Sequence, residues 1–288
     1  MFEEITRLDE YYPTRTETAI LRQNTEDIST FAGREIALLE YRAGSGIKTE
    51  ILLRALDVGA YVPVDIARDF LQQTHCRIAA RFPHIGVTPI EADFTSAFDI
   101  RDEVGGARRV AFFPGSTIGN LDRRSTLSFL HHMHRHVGAD GAAIVGVDLV
   151  KGLDVLLPAY DDKTGVTANF NLNLLARVNR ELQGTFALEQ FAHEARWNRA
   201  EQAVEMHIVS LRSQFVKVGS HSFAFREGES IHTESSRKFD LSGFSGLVEA
   251  ANWQVAKIWS DEAKSFAVFG LTPAAEAAAS TAATRFMR

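Results

Sequence analysis

IALLEYRAGSGIKTEILLRAL, residues 36–56, starts as an apolar run, turns through a glycine-containing loop and continues as an apolar-periodic, helix-forming segment. Strand, tight turn and helix in that order present backbone N–H groups and a helix N-terminus to a nucleotide-like ligand at the edge of a parallel sheet. Glycine is wanted in such a loop because a Cβ blocks close approach or the required φ. Arg42 stands where the first of these glycines is expected, which leaves Gly44 and Gly46. Alone the loop is ambiguous, and its meaning depends on the rest of the chain.

The chain has 288 residues, 45% hydrophobic and 24% charged, as expected of a globular protein with a substantial core. A net charge of −6 with scattered Lys and Arg argues against nucleic acid or an anionic membrane as partner. The single cysteine, Cys76, excludes an intramolecular disulfide and a Cys-based zinc site, and a reducing, cytoplasmic setting is expected. No apolar run reaches the ~18 residues of a membrane span, and the N-terminus has no signal-peptide pattern. Strand patterns at 36–41, 61–66, 87–92, 110–113 and 142–148 alternate with helical patterns at 48–56, 67–81 and 123–136. The alternation implies an α/β fold, a Rossmann-like parallel sheet that binds ligands at its carboxyl edge. After Asp148 the rhythm changes to helix, polar loop, helix, then strands at 191–197, 204–211 and 221–226. A helix near 241–250 and a closing hairpin of 253–260 and 265–271 rejoin the sheet. The expected division is a sheet domain of 31–149 plus 240–272, an inserted α+β substrate-binding domain of 1–30 plus 150–239, and a loosely held tail of 273–288. Near the N-terminus, Thr14 and Glu17 have capping-box spacing.

Acidic residues mark two further strand ends. Asp65 closes the second strand, where a carboxylate can accept from both hydroxyls of a ribose. Asp93 and Phe94 follow the third, where they suit the exocyclic N–H and the face of an adenine. The set fits S-adenosylmethionine (SAM) better than NAD, because Gly-x-Gly-x-x-Gly is absent. The fourth strand runs into FFPGSTIGNL, whose Ser116, Thr117 and Asn120 bring polar groups to a strand end beside the expected methyl donor.

YYPTRTETAIL, EYRAGSGIKTEILL, FFPGSTIGNL, DLVKGLDVLLPAYDDKTGVTANFNLNLL, AVEMHI and IHTESSRKF together resemble the SAM-dependent L-histidine Nα-methyltransferases, and the resemblance covers nearly the whole chain. It implies a class I methyltransferase domain with a second domain for the amino acid, and trimethylation of histidine to hercynine in ergothioneine biosynthesis. For the cofactor it implies Gly44, Lys48, Asp65, Asp93 and Phe94. For histidine it implies Asn120 near the α-amino group, Tyr160 on the carboxylate, Tyr11, Glu234 and Ser236 around the imidazole, and Met206 as a pocket wall. The residue types suit those tasks: a phenol donates to a carboxylate, a carboxylate accepts from an imidazole N–H, and an amide accepts from an amine without adding charge. The expected partner is a small amino acid and the expected state a monomer, with no metal.

Two departures from the resemblance carry expectations of their own. Arg42 stands in the donor loop, where it crowds the donor or swings out to solvent with negative φ. The chain also begins close to YYPTR, whereas members of the family carry a further N-terminal segment with a pocket tyrosine. Weakened or altered binding is the corresponding expectation. The alternatives are a methyltransferase for another amino acid or amine, and a catalytically impaired ligand-binding relative. The run HHMHRH puts His132 and His136 on one helix face, but with no acidic or Cys partner it reads as a solvated helix end rather than a metal site.

Overall fold

The computed structural model describes residues 2–43, 46–96, 98–100 and 104–274. Gly44 and most of the tail lie outside them. Helices α1 (Phe2–Ile5), α2 (Tyr12–Gln23) and α3 (Thr25–Ala32) lead into β1 (Ile36–Tyr41). There follow α4 (Ile47–Ala55), β2 (Val58–Asp65), α5 (Arg68–Arg81), β3 (Gly86–Val87), β4 (Ile90–Glu91), β5 (Arg108–Phe113), α6 (Arg123–Val137) and β6 (Ala142–Asp148). Next come α7 (Leu153–Leu156), α8 (Val166–Leu182), β7 (Phe191–Asn198), β8 (Ala203–Ser210), β9 (Gln214–Val218), β10 (His221–Phe225) and β11 (Ser230–Arg237). Helix α9 (Leu241–Glu249) and strands β12 (Trp253–Ser260) and β13 (Phe266–Pro273) close the described chain.

The main sheet has the order β12-β13-β6-β5-β1-β2-β3, with β4 also on β2. Its pairs are parallel except for β13, which runs antiparallel to both β6 and β12. β1 and β6 are buried at every position, as strands between two helical layers must be. One layer packs Tyr41, Phe113, Phe129, Met133, Phe244 and Phe269; the other packs Leu21, Ile28, Leu38, Leu52, Phe112 and Val268. Helices α2 and α3 therefore bury Leu21 and Ile28 on the sheet itself, although their sequence was grouped with the inserted segment. The expected third strand, 87–92, is instead two short pairings on β2. Pro89 between them has no N–H to give the ladder.

From Leu149 onward the chain leaves this sheet. It forms an antiparallel sheet of order β11-β8-β7 and a hairpin of β9 and β10, with α8 packed across β7 and β8. Strands β9 and β11 are additions to the sequence reading. In β11 every position but Ser236 is only half-buried or exposed, so it lacks the apolar alternation that marks a strand. Its register sets Glu234 opposite Met206. The 3₁₀ turn Thr117–Asn120 after β5 packs against β11, and a Cβ on Gly119 would meet the Arg237 carbonyl oxygen at 2.6 Å. Only glycine permits that approach, and it docks the polar strand beside the main sheet.

His136 is not at a solvated helix end. It is buried on the same face of α6 as Phe129 and Met133, stacks on Tyr41, and bonds the Tyr41 hydroxyl through Nδ1 (2.9 Å) and the Phe98 carbonyl through Nε2 (2.8 Å). Burial holds its pKa below the ordinary value. Among the described residues no group of His, Cys, Asp and Glu could hold a metal ion, and no helix is long and apolar enough to cross a membrane.

Gly119 sets the turn after β5 directly against the backbone of β11. Gly119→Ala is expected to lower stability by about 1–3 kcal/mol, the cost of overpacking a rigid contact. A denaturant midpoint unchanged from the wild type would show that the contact can give way.

Candidate active site

The carboxyl ends of β1, β2 and β5 open into a cavity of about 360 Å³, within the ~300–1,000 Å³ of small-molecule sites. Chain order reverses here, with β2 on one side of β1 and β5 on the other, which is where open α/β sheets bind ligands.

Its floor is built from buried carboxylates. Glu40, in β1, accepts from Thr49 of α4 (2.7 and 2.9 Å) and from the Tyr61 hydroxyl (2.5 Å), and so ties the helix after the loop to two strands. Burial pushes its pKa up, against those hydrogen bonds. Glu17 of α2 makes no capping box: it is fully buried and accepts from Lys48 (2.5 Å) and the Gly115 N–H (2.8 Å). Thr14–Glu17 spacing is thus the trace of a tertiary anchor, not a cap. Gly146 makes room for it, because a Cβ there would sit 2.0 Å from Glu17 Oε1.

Lys48 and Asp65 line the cavity, as do Tyr11, Asn120, Tyr160, Met206, Glu234 and Ser236. Residues from α2's approach, the β5 turn, the α7–α8 region and strands β8 and β11 therefore meet at one place. Asp93 and Phe94 are not in the cavity wall. Asp93 is exposed and accepts from its own turn, Thr95 N (2.9 Å) and Thr95 Oγ1 (2.7 Å), which lowers its pKa. Phe94 packs on Phe113 and Phe129. Phe70 and Phe170 are the phenylalanines of the lining instead.

Asn120 Nδ2 donates to Glu234 Oε1 at 2.9 Å, because an ionised carboxylate can only accept. The amide oxygen of Asn120 is thereby left as an acceptor. Burial raises the Glu234 pKa, and the Arg42 charge, the Asn120 bond and Lys238 pull against that rise. Tyr160 meets Tyr11 edge to face at 6.2 Å, and its hydroxyl is 2.8 Å from Ser236 Oγ. Tyr12, the other of the paired tyrosines, instead bonds buried Asp148 (2.8 and 2.9 Å). Asp148 also receives Lys151 (2.5 Å) and Lys238 (2.7 Å), and its N–H donates to Ser116 Oγ. From the sequence Glu17 reads as part of a helix cap, and Glu40, Asp148 and Lys238 are not singled out. A buried charge in an otherwise apolar strand, as in IALLEY and AAIVGVD, was the available signal.

Arg42 is exposed to solvent, but with φ +53° rather than the expected negative value. It lines the cavity in a left-handed conformation that suits glycine.

A cationic sulfonium donor fits these residues. Carboxylates of Glu3, Glu40, Asp65 and Glu234 outnumber the lining cations Arg42 and Lys48, and Lys48 is already paired with Glu17. Asp65 gives one oxygen to the Ala67 N–H (2.9 Å).

The sequence profile of the histidine-specific, SAM-dependent methyltransferases matches residues 1–273. The chain belongs to that family. It is 37% identical over 272 residues to histidine N-alpha-methyltransferase of Mycolicibacterium smegmatis, covering 92% of this chain and 84% of that protein. It is 37% identical over 282 residues to the Mycobacterium tuberculosis enzyme of the same name, covering 96% and 86%. A SAM-dependent methyltransferase of Clostridium acetobutylicum shares the fold, with a TM-score of 0.53, 11% identity and coverage of 95% of this chain and 98% of that one. This methyltransferase is thus an N-methylating enzyme with a class I, Rossmann-like fold, and SAM is its cofactor.

Arg42→Gly removes a cation that holds the Glu234 pKa down, so that pKa rises further. A carboxylate acceptor is lost as pH falls through its pKa, and the acid limb of kcat/KM is therefore expected to move to higher pH. Relief of ~1–2 kcal/mol of left-handed strain outweighs ~0.5–1 kcal/mol of added glycine entropy, so stability should not fall. An acid limb that stays in place would separate Arg42 from Glu234.

Proposed function

We propose that this methyltransferase acts on the α-amino group of L-histidine and adds methyl groups in succession to give N,N,N-trimethylhistidine, hercynine, for ergothioneine biosynthesis. The Asn120–Glu234 hydrogen bond carries the reading, because it puts an amide acceptor and a carboxylate side by side on one cavity wall. In this assignment Asn120 Oδ1 accepts from the amine. Glu234, with Tyr11 and Ser236, holds the imidazole, and the Tyr160 hydroxyl donates to the carboxylate. Met206, opposite Glu234 across β8 and β11, is an apolar wall. Lys48 and Asp65, with the loop that includes Gly44, hold the donor, and Asp93 and Phe94 stand outside the cavity wall. The mycobacterial relatives, named histidine N-alpha-methyltransferases, support the reading. So does a Neurospora crassa ergothioneine biosynthesis protein, 28% identical over 195 residues.

Bound SAM supplies an electrophilic methyl group on a sulfonium. The chain's part is to hold the neutral amine in line with that carbon at near-attack distance and to keep water out. Positive charge moves from sulfur to nitrogen rather than appearing, so no oxyanion-type device is required. Asn120 presents an uncharged acceptor, which steers the amine without repelling the cation. The amine's proton leaves to water before each round.

Residues 31–149 with 240–272 would hold the donor, and residues 1–30 with 150–239 the amino acid. One chain supplies every group in this scheme, which suits a monomer in the cytoplasm.

Hydrogen bonds to charged groups are worth ~1.5–3 kcal/mol, or roughly 10–100-fold. Asn120→Ala and Glu234→Ala should each lower kcat/KM for histidine by about that factor. Mass spectrometry of the product from histidine and SAM should show three added methyl groups. Unchanged turnover in both variants, or methylation of another amino acid in preference to histidine, would overturn the assignment.

A further inference from the structure

Lys238 follows β11 and is 1% exposed, yet its Nζ bonds Tyr160 Oη (2.7 Å), Ser236 Oγ (2.9 Å) and Asp148 Oδ2 (2.7 Å). An ammonium has three N–H donors, so these three acceptors use them all. Asp148 also has Lys151 at 2.5 Å and the Tyr12 hydroxyl, so its carboxylate is paired without Lys238. Lys238 reaches the cavity through two hydroxyls, for Tyr160 and Ser236 line the cavity and Lys238 does not.

The hydroxyl protons can be counted. Tyr160 and Ser236 have one each, and the 2.8 Å bond between them uses one. Both oxygens accept from Lys238 and so cannot turn a proton toward it. The remaining proton must point into the cavity. The pair therefore presents one O–H donor, backed by a buried cation, and the lone pair left on the other oxygen. That is a site for an anionic oxygen. A phenol is the stronger donor of the two, so the anion is served by Tyr160.

We propose that Lys238 is a positioning residue. It fixes the proton arrangement of the Tyr160–Ser236 pair so that the enzyme selects amines carrying a carboxylate over their decarboxylated counterparts. The proposal rests on the histidine reading above and names the origin of its carboxylate preference. Without Lys238 both hydroxyls regain an open lone pair and lose the cation behind them.

The test compares histidine with histamine, which lacks only the carboxylate. The wild type should prefer histidine by roughly 10–100-fold in kcat/KM, the worth of one hydrogen bond to a charged group. Lys238→Met should shrink that ratio at least tenfold, mainly through a higher KM for histidine, while SAM affinity measured by calorimetry holds. Asp148 keeps Lys151 and Tyr12 in this variant, so no charge is orphaned. Tyr160→Phe should shrink the ratio equally, and the double variant should lose little more than either alone. An unchanged ratio in Lys238→Met or in Tyr160→Phe overturns the proposal and leaves the histidine reading standing; should Lys238→Met fail to fold, Tyr160→Phe alone decides. A wild type that methylates histidine no better than histamine overturns the proposal, and one that methylates neither overturns the histidine reading with it.

Discussion

The carboxylate of Asp148 holds this molecule's parts in register. It ends β6 with no exposure to solvent, and a bare charge there would cost several kcal/mol. Its partners come from the N-terminal helix (Tyr12), from the segment that leaves the sheet (Lys151) and from the end of β11 (Lys238). Its own N–H reaches Ser116 in the turn after β5. A single buried charge thus gathers four chain segments, and each of them also supplies or borders a wall of the cavity. Moving any one would leave a polar group unpaired in the interior.

Glu17 does the same on the opposite side of α2. It binds Lys48 and the Gly115 N–H, so the helix that begins at Tyr12 is tied to both α4 and the turn that carries Asn120. Tyr11 then takes its place beside Tyr160 because α2 is held from two directions. The apolar residues of α2 settle on the sheet, but these two carboxylates decide the helix's rotation and depth.

The sheet was legible because burial on both faces leaves a plain mark. β1 and β6 are apolar but for one acid each, and their bounds match the sequence pattern to the residue. The third strand is misjudged because a proline interrupts its ladder, and β11 because it is polar on both faces and is held by Gly119 and Lys238 rather than by an apolar stripe. Most of the candidate site could be named from motifs, since Asn120, Glu234 and Ser236 sit in distinctive strings. What no pattern announces is the support behind them. Glu17 looks like a helix cap, and His136 like one of several surface histidines. Their partners, Gly115 and Tyr41, are 98 and 95 positions away. Arg42 shows the reverse limit. Its identity is plain in the sequence, but only the backbone reveals that it occupies a glycine conformation.

The Asn120–Glu234 contact joins residues 114 positions apart, and Tyr12 reaches Asp148 across 136. Closing such loops costs entropy before any contact forms. Residues from both halves of the sequence meet in the cavity, where Lys48 and Asp65 stand with Tyr160, Met206 and Glu234. The site is consequently a property of the complete native state. Any small molecule that spans it stabilises the whole chain by mass action, and not a single lobe.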